Sequence, residues 1–417
     1  MKKPKVAFVV QRYGRDVNGG AETLCRLIAE RMRLYWEIDI LTSCAKDYVK
    51  RFENEFSPGK EVINDVTVHR FEIDYLRSDD KTFSTLDRKV LKREGTREEE
   101  ALWLKQIGPY SSALISYIKK SQGEYDLFFF FTYLYATTTL ILPIVREKSF
   151  LVPAAHDEPP IHARFFDDFF ALPKGLIFST EEELAFLRQR TSDRMSPAFV
   201  IGVGLDPPRH LSPDSFRQKY QIDGEFLLYV GRIQTQKGCD ELFDFYLALP
   251  DEVKRKYPLV LIGKSAMEIP ENEYILPVGF VSDEMKYSAM MAAELVIMPS
   301  KFESLNMVIL ESWLCGTPVL VNGHCDVLRE QCRRSNGGLW YKNFDEFEAC
   351  LNLMLSKKDL LNQMWIRGKD YVKKNYDWSK VESNYRLLVR YALSRDSSEA
   401  SNFQIELSKI SSSSTRF

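Results

Sequence analysis

Short runs of β-branched and aromatic residues alternate along this chain with stretches whose apolar residues recur every three or four positions. The first run, Val6–Val10, is followed by a loop containing Gly14, Gly19 and Gly20, then by a helical pattern through Leu24, Leu27, Ile28 and Met32. Glu37–Leu41 and Val66–Phe71 read as the next strands, and Phe150–Ala155, Gly175–Ser179 and Phe199–Val203 as three more. Strands that are apolar on both faces and alternate with helices predict a mostly parallel sheet covered on both sides. Leu127–Val145 carries no charge and approaches the length of a membrane span. It also holds Thr132, Thr137, Thr138, Thr139 and Pro143, and reads instead as a buried strand, Leu127–Phe131, a turn, and a buried helix from about Tyr135.

Two glycines and two prolines in Gly202-Val-Gly-Leu-Asp-Pro-Pro208 break regular structure, and the strand–helix alternation then restarts. Phe226–Val230, Leu259–Ile262, Ile275–Pro277, Leu295–Met298 and Pro318–Val321 predict the strands of a second α/β domain, with a helix from about Gly238 and another after Glu303. Residues 356–392 read as helical, broken around Asn375-Tyr-Asp-Trp-Ser379, and the Ser-rich residues 396–417 read as a disordered tail. The expected architecture is α/β, two Rossmann-like domains facing a cleft, with ligands outside the carboxyl ends of the strands. Residues 76–105, rich in both signs of charge, read as a solvated helical insertion, against the alternative of an acceptor-recognition lobe that touches a lipid surface.

At 417 residues the chain exceeds one ordinary core, and 45% hydrophobic with 28% charged residues is the balance of a water-soluble globular protein. A net charge of −2 argues against a dedicated nucleic-acid binder. Met-Lys-Lys-Pro-Lys runs straight into Val6–Val10, without the apolar core of a secretory signal. The seven cysteines lack metal-like or disulfide-like spacing, and Cys25, Cys315 and Cys332 fall in apolar patterns. A reducing, cytoplasmic setting is therefore expected, with peripheral attachment to the inner membrane face left open.

The chemistry gathers in the second half. In Pro299-Ser-Lys-Phe-Glu-Ser-Leu-Asn-Met-Val-Ile-Leu-Glu311, seven residues separate Glu303, in a loop, from Glu311, inside a helix. The helix must begin between them, and its first N–H groups favour phosphate. Tyr229-Val-Gly-Arg-Ile-Gln-Thr-Gln-Lys-Gly238 sets Arg232 and Lys237 at a strand end, where two cations suit a diphosphate whose charge grows as a bond breaks. Solvated surface cations are the plain alternative, and the glutamate segment in the same domain weighs against it.

Together these segments resemble the retaining glycosyltransferases of family 4, which have the two-domain GT-B fold. The matching residues are Gly231-Arg232 with Lys237-Gly238, Glu303 and Glu311, Cys315-Gly-Thr-Pro-Val-Leu320, Gly19-Gly20-Ala21-Glu22, and Tyr376-Asp-Trp-Ser-Lys380 before the last helix. The resemblance implies an N-terminal acceptor domain at 1–204, a nucleotide-sugar domain at 205–380, and a helix at 381–395 that returns to the first domain. It implies that Arg232 and Lys237 neutralise the donor diphosphate, that Glu303 meets the donor sugar, and that Glu311 holds the ribose hydroxyls. Main-chain N–H groups near Leu305 and Asn306 would contact phosphate or sugar, Gly279-Phe280-Val281 would border the base, and Gly19, Gly20 and Gly231 would allow close approach. His156 matches a cleft histidine that bonds a donor-sugar hydroxyl, and a satisfied structural histidine is an equal reading; Asp157 is its neighbour.

The implied activity is metal-independent transfer of a hexose-type sugar from a UDP-sugar or GDP-sugar to a glycan or lipid-linked acceptor, in cell-surface polysaccharide assembly, with no further cofactor. Asp167-Asp168 reads as helix surface rather than a metal pair. The side chains of Ser304, Leu305 and Asn306, where many relatives have glycine, leave the donor sugar open. The rivals are a nucleotide-sugar epimerase or phosphorylase of the same fold and a non-catalytic sugar-nucleotide-binding subunit. A dinucleotide dehydrogenase is disfavoured, because Gly14–Gly20 lacks the Gly-x-Gly-x-x-Gly spacing.

Overall fold

The computed structural model describes residues 3–17, 19–47, 51–78, 80–208 and 212–394. The Ser-rich stretch 396–417, expected to be a disordered tail, lies outside the described residues. The chain forms two compact units, Met1–Val203 with Ser379–Phe417, and Gly204–Trp378.

Among its described residues the first unit is built on eight strands: β1 (Lys5–Val9), β2 (Glu37–Ser43), β3 (Gly59–Ile63), β4 (Val66–Phe71), β5 (Leu127–Phe131), β6 (Ser149–Val152), β7 (Gly175–Phe178) and β8 (Ala198–Val200). Their order is β3-β4-β2-β1-β5-β6-β7-β8, and every pairing is parallel except β3 with β4. The sheet is dry from its centre outward: all five residues of β5 are buried, as are all of β6 and β7. At about 1.5–3 kcal/mol for each large apolar side chain removed from water, β5 alone is a substantial part of the core. The end of the chain packs here too. From helix Trp378–Leu393, Glu382 accepts from the Tyr35 hydroxyl at 2.9 Å, Arg386 lies over the Tyr35 ring, and Tyr385 meets Phe129.

Beyond Phe131 the chain departs from the expected buried helix. Only Ala136–Thr139 is α-helical, followed by a 3-10 turn at Leu142–Ile144. Pro143 has no N–H to continue a helix, and consecutive β-branched threonines disfavour one. Within the insertion, Asp80–Leu91 and Arg97–Ile107 are helices, the second opened by a capping box of Thr96 and Glu99.

Among its described residues the second unit has six strands, β9 (Leu227–Val230), β10 (Leu259–Ile262), β11 (Ile275–Gly279), β12 (Leu295–Met298), β13 (Val319–Asn322) and β14 (Gly338–Tyr341). All pairings are parallel, in the order β11-β10-β9-β12-β13-β14. This is the Rossmann order, in which connections leave the first strand in one direction and then reverse. The reversal falls between β9 and β12. Loops that follow these two strands therefore open side by side at the carboxyl edge of the sheet, where open α/β sheets bind ligands.

Candidate functional site

The loop after β9 turns through Gly231 and Arg232, forms a bridge from Ile233 to Ser265, and ends in a 3-10 turn, Thr235–Lys237. The Arg232 carbonyl accepts from the Tyr229 hydroxyl at 2.6 Å, which fixes the main chain beside the arginine. Gly231 sits close over that ring: a Cβ there would lie 2.9 Å from the Tyr229 hydroxyl oxygen.

The loop after β12 runs from Pro299 to Asn306. Asn322, at the end of β13, donates to the Pro299 carbonyl at 3.1 Å and to Glu241 at 2.8 Å, and Glu241 also pairs with Lys301 at 2.8 Å. Gln331 donates to the Leu305 carbonyl at 2.7 Å. The two loops touch at Gly238, which has φ of 72° and whose Cβ would stand 2.3 Å from the Pro299 carbonyl oxygen. Only glycine meets both demands. That contact brings Lys237 to Glu303, with Nζ 2.7 Å from Oε1. The lysine side chain keeps 34% of its exposure and the glutamate 12%, so the pair faces solvent on one side and protein on the other.

Helix Met307–Cys315 starts directly after this pair. Asn306, with φ of 64°, caps it by accepting from the Ile309 N–H at 3.1 Å. The first turn of such a helix leaves N–H groups outside the intrahelical ladder, and its dipole favours an anion at this end. The helix is apolar and deeply buried, with Trp313 packed against Gly368 and donating to the Gly337 carbonyl at 2.8 Å. Glu311 is its buried carboxylate. It accepts from Lys286 Nζ at 3.0 Å and the Tyr287 hydroxyl at 3.1 Å, both on the neighbouring helix Asp283–Ala292. Burial alone would depress the Lys286 ammonium, but Glu311, Tyr287 and Asp283 outweigh it and hold the group above the ordinary lysine value. Burial, then Glu311, pushes the Tyr287 phenol up. Cys325, close to Glu303, is pushed up to about 12 by burial, which keeps it a thiol.

Phe280 and Val281 follow β11 at the same edge of the sheet, Phe280 exposed and Val281 buried. The structure thus joins Lys237 directly to Glu303, places Leu305 and Asn306 in the connecting loop, and seats Glu311 in the helix that follows. Arg232 lies on the adjacent β9 loop.

Three candidates belong to the first unit. Gly19 precedes helix Gly20–Met32, and a Cβ on it would come within 2.1 Å of Glu22 Oε2. Gly20 has open space around it. Glu22 is itself buried, accepting from Gln11 at 2.8 Å and from Arg12. His156 follows β6 with Nε2 3.9 Å from Glu158 Oε1, and Asp157 pairs with His162. Asp167 is neutralised by Arg93 and Arg190, each at 2.8 Å. It lies in a 3-10 turn, Arg164–Asp167, rather than on an α-helix surface. No group of His, Cys, Asp and Glu among the described residues is arranged to hold a metal ion. None of their helices is long and apolar enough to cross a membrane.

Sequence reasoning missed Lys286, Tyr287 and Asn322. The first two lie in helix Asp283–Ala292, and Asn322 ends β13 one residue beyond the run Pro318–Val321. Nothing in their spacing pointed to Glu311 or to the Pro299 loop.

Residues 213–371 match the family model for glycosyl transferases group 1. Over 223 residues the chain is 27% identical to an uncharacterized glycosyltransferase of Methanocaldococcus jannaschii, covering 49% of this chain and 55% of that one. It is 32% identical over 114 residues to the O-antigen chain mannosyltransferase B of Escherichia coli, covering 25% and 30%. It is 22% identical over 237 residues to the mannosylfructose-phosphate synthase of Agrobacterium fabrum, covering 51% and 52%. The chain thus spans about half the length of two of these relatives and less than a third of the other. Among solved structures, sucrose-phosphate synthase from Thermosynechococcus elongatus superposes with a TM-score of 0.70 at 16% identity, over 93% of this chain and 98% of that one. Anabaena HepE, solved in complex with UDP and glucose, superposes at 0.67 and 16% identity, over 93% and 99%. At such identity the likeness is one of fold, and the fold is the GT-B class of two Rossmann-like domains.

Proposed function

The second unit belongs to the glycosyl transferases group 1, and from that premise we propose that the chain moves a hexose-type sugar from a nucleoside-diphosphate sugar to a glycan or lipid-linked acceptor. The observation that carries this reading is the contact of Lys237 with Glu303 at the strand reversal. A cation suited to phosphate and a carboxylate suited to sugar hydroxyls stand one hydrogen bond apart, close enough to serve the adjoining phosphate and sugar of one donor.

In this reading the donor diphosphate takes over Lys237 from Glu303, assisted by Arg232 and the first N–H groups of helix Met307–Cys315. Glu303, released, turns to the sugar, and Glu311 receives the ribose hydroxyls. As the bond from C1 to the phosphate oxygen breaks, negative charge grows on the departing diphosphate and these groups stabilise it. The acceptor oxygen bonds C1 on the same face and its proton passes to a departing phosphate oxygen, so configuration is retained without an enzyme nucleophile. A glycosyl adduct trapped on a carboxylate of the protein would reject that route. An O-antigen chain mannosyltransferase and a serotype-specific mannosyltransferase are among the similar proteins, which supports cell-surface polysaccharide as the setting.

The test is a panel of UDP- and GDP-hexoses offered with glycan and lipid-linked acceptors to the wild type and to Glu303→Gln. Transfer is expected from at least one donor, with kcat lowered about 10²–10³-fold in the variant. An isomerised sugar formed without acceptor, or equal transfer by the variant, would overturn the assignment.

A further inference from the structure

Taking Glu311 as the ribose carboxylate, we propose that Lys286 and Tyr287 form a positioning clamp that fixes Glu311 through one oxygen, leaves the other for the ribose hydroxyls, and so sets a preference for ribonucleotides over 2′-deoxynucleotides.

Both donors converge on the same atom. Lys286 Nζ and the Tyr287 hydroxyl reach Glu311 Oε1 at 3.0 and 3.1 Å, and neither bond engages Oε2. Consecutive residues on a helix point in different directions and do not ordinarily share a target. Here Lys286 folds back over the face of the Tyr287 ring, with its ammonium 4.4 Å from the centroid, and the two tips meet. The lysine is tied a third time, to Asp283 Oδ1 at 3.2 Å. Its helix is pinned at its start, where the Ser282 side chain accepts from the Met285 N–H. The ion pair is mostly shielded, with side-chain exposures of 17% for Lys286 and 11% for Glu311.

Burying two charges costs about as much as their attraction returns, so such a pair adds little stability by itself. Its value is geometric. A carboxylate held by two donors on one oxygen loses its freedom to rotate, and the remaining oxygen keeps one fixed direction. A hydrogen bond to a ligand then forms without ordering the side chain first. Removing Lys286 would leave the Glu311 carboxylate free to rotate, so that ribose hydroxyls would have to order it on binding.

The test is calorimetric titration of the full chain with UDP and 2′-deoxy-UDP, and with GDP and 2′-deoxy-GDP in parallel. The variants are Lys286→Met, Lys286→Arg, Tyr287→Phe and Glu311→Gln, with melting curves to establish folding. In Lys286→Met the ribonucleotide is expected to bind about tenfold more weakly, a loss of about 1.4 kcal/mol. The 2′-deoxynucleotide is expected to change less than about twofold, so that the ratio between them collapses. Tyr287→Phe should give a smaller collapse and Lys286→Arg should recover part of the ratio. Equal weakening of both ligands by Lys286→Met, or no weakening, would overturn the clamp, and if that variant does not fold the same criterion applies to Tyr287→Phe. A ratio that collapses in Glu311→Gln but survives in the clamp variants sinks the clamp alone. A ratio untouched by Glu311→Gln, or no binding of any nucleotide to the wild type, sinks the ribose assignment and the clamp with it.

Discussion

Gly238→Ala attacks the point where the two site loops meet. The substitution incurs two separate costs. An alanine at φ of 72° is in left-handed backbone, worth about 1–2 kcal/mol. Its Cβ also falls 2.3 Å from the Pro299 carbonyl oxygen, and since that atom is backbone the β12 loop has to shift, at about 1–3 kcal/mol. The sum is about 2–5 kcal/mol. Gly224→Ala separates the two, because Gly224 has φ of 79° but nothing within 4 Å of its added Cβ. That control should lose only the backbone part, about 1–2 kcal/mol. Urea titration followed by tryptophan fluorescence measures both stabilities, and thermal shift with UDP or GDP measures whether the site survives. The expected outcome is that Gly238→Ala is less stable than Gly224→Ala and loses the nucleotide-dependent shift, which Gly224→Ala keeps. Equal stabilities, or a Gly238→Ala protein that still responds fully to nucleotide, would refute the argument that this contact builds the site.

Lys237→Met should weaken binding of UDP or GDP by about 1.5–3 kcal/mol, the worth of a hydrogen bond to a charged group. Its melting temperature should barely move, since the lysine keeps a third of its exposure and such a partly screened ion pair contributes under about 1 kcal/mol; titration calorimetry and a melt check both parts. Glu183 supplies a pH prediction away from this site. Its carboxylate accepts from the Ala155 and Ser179 N–H groups at 2.7 and 2.8 Å, yet full burial pushes its pKa up to about 8. The folded state then holds a proton that the unfolded chain, with an ordinary glutamate near about 4.3, gives up. Stability from this group is complete below the unfolded value and is lost as pH rises through about 8. Urea midpoints at acidic, neutral and alkaline pH should fall for the wild type relative to Glu183→Gln across that window; parallel curves would contradict it.

All strands but β3 and β14 were legible in the sequence, most plainly those with dry, apolar runs, β1, β5, β9, β10 and β12, because burial on both faces leaves a continuous signal. β3 was invisible: Gly59–Ile63 is an edge strand, exposed apart from Ile63, and its charged residues look like loop. β14, Gly338–Tyr341, opens on Gly337-Gly338 and has its two middle residues only partly buried, so it leaves no continuous dry run. The loop and helix that carry Glu303 and Glu311 could be read from residue types alone. That Lys237 reaches Glu303 could not, since sixty-six positions separate them and only the strand order brings their loops together. The donors to Glu311 were hidden for a related reason: Lys286 and Tyr287 sit in a segment whose polar residues look solvent-facing until helix Met307–Cys315 is packed beside them.

Hydrogen exchange of the full chain, with and without saturating UDP or GDP, asks most directly where the donor sits. Slowed amides are expected in Gly231–Gly238 and in the stretch from Ser300 to Val308, with the strands beneath unchanged. Protection that leaves both loops exchanging freely and appears elsewhere in the chain would contradict the assignment of the donor to the second unit.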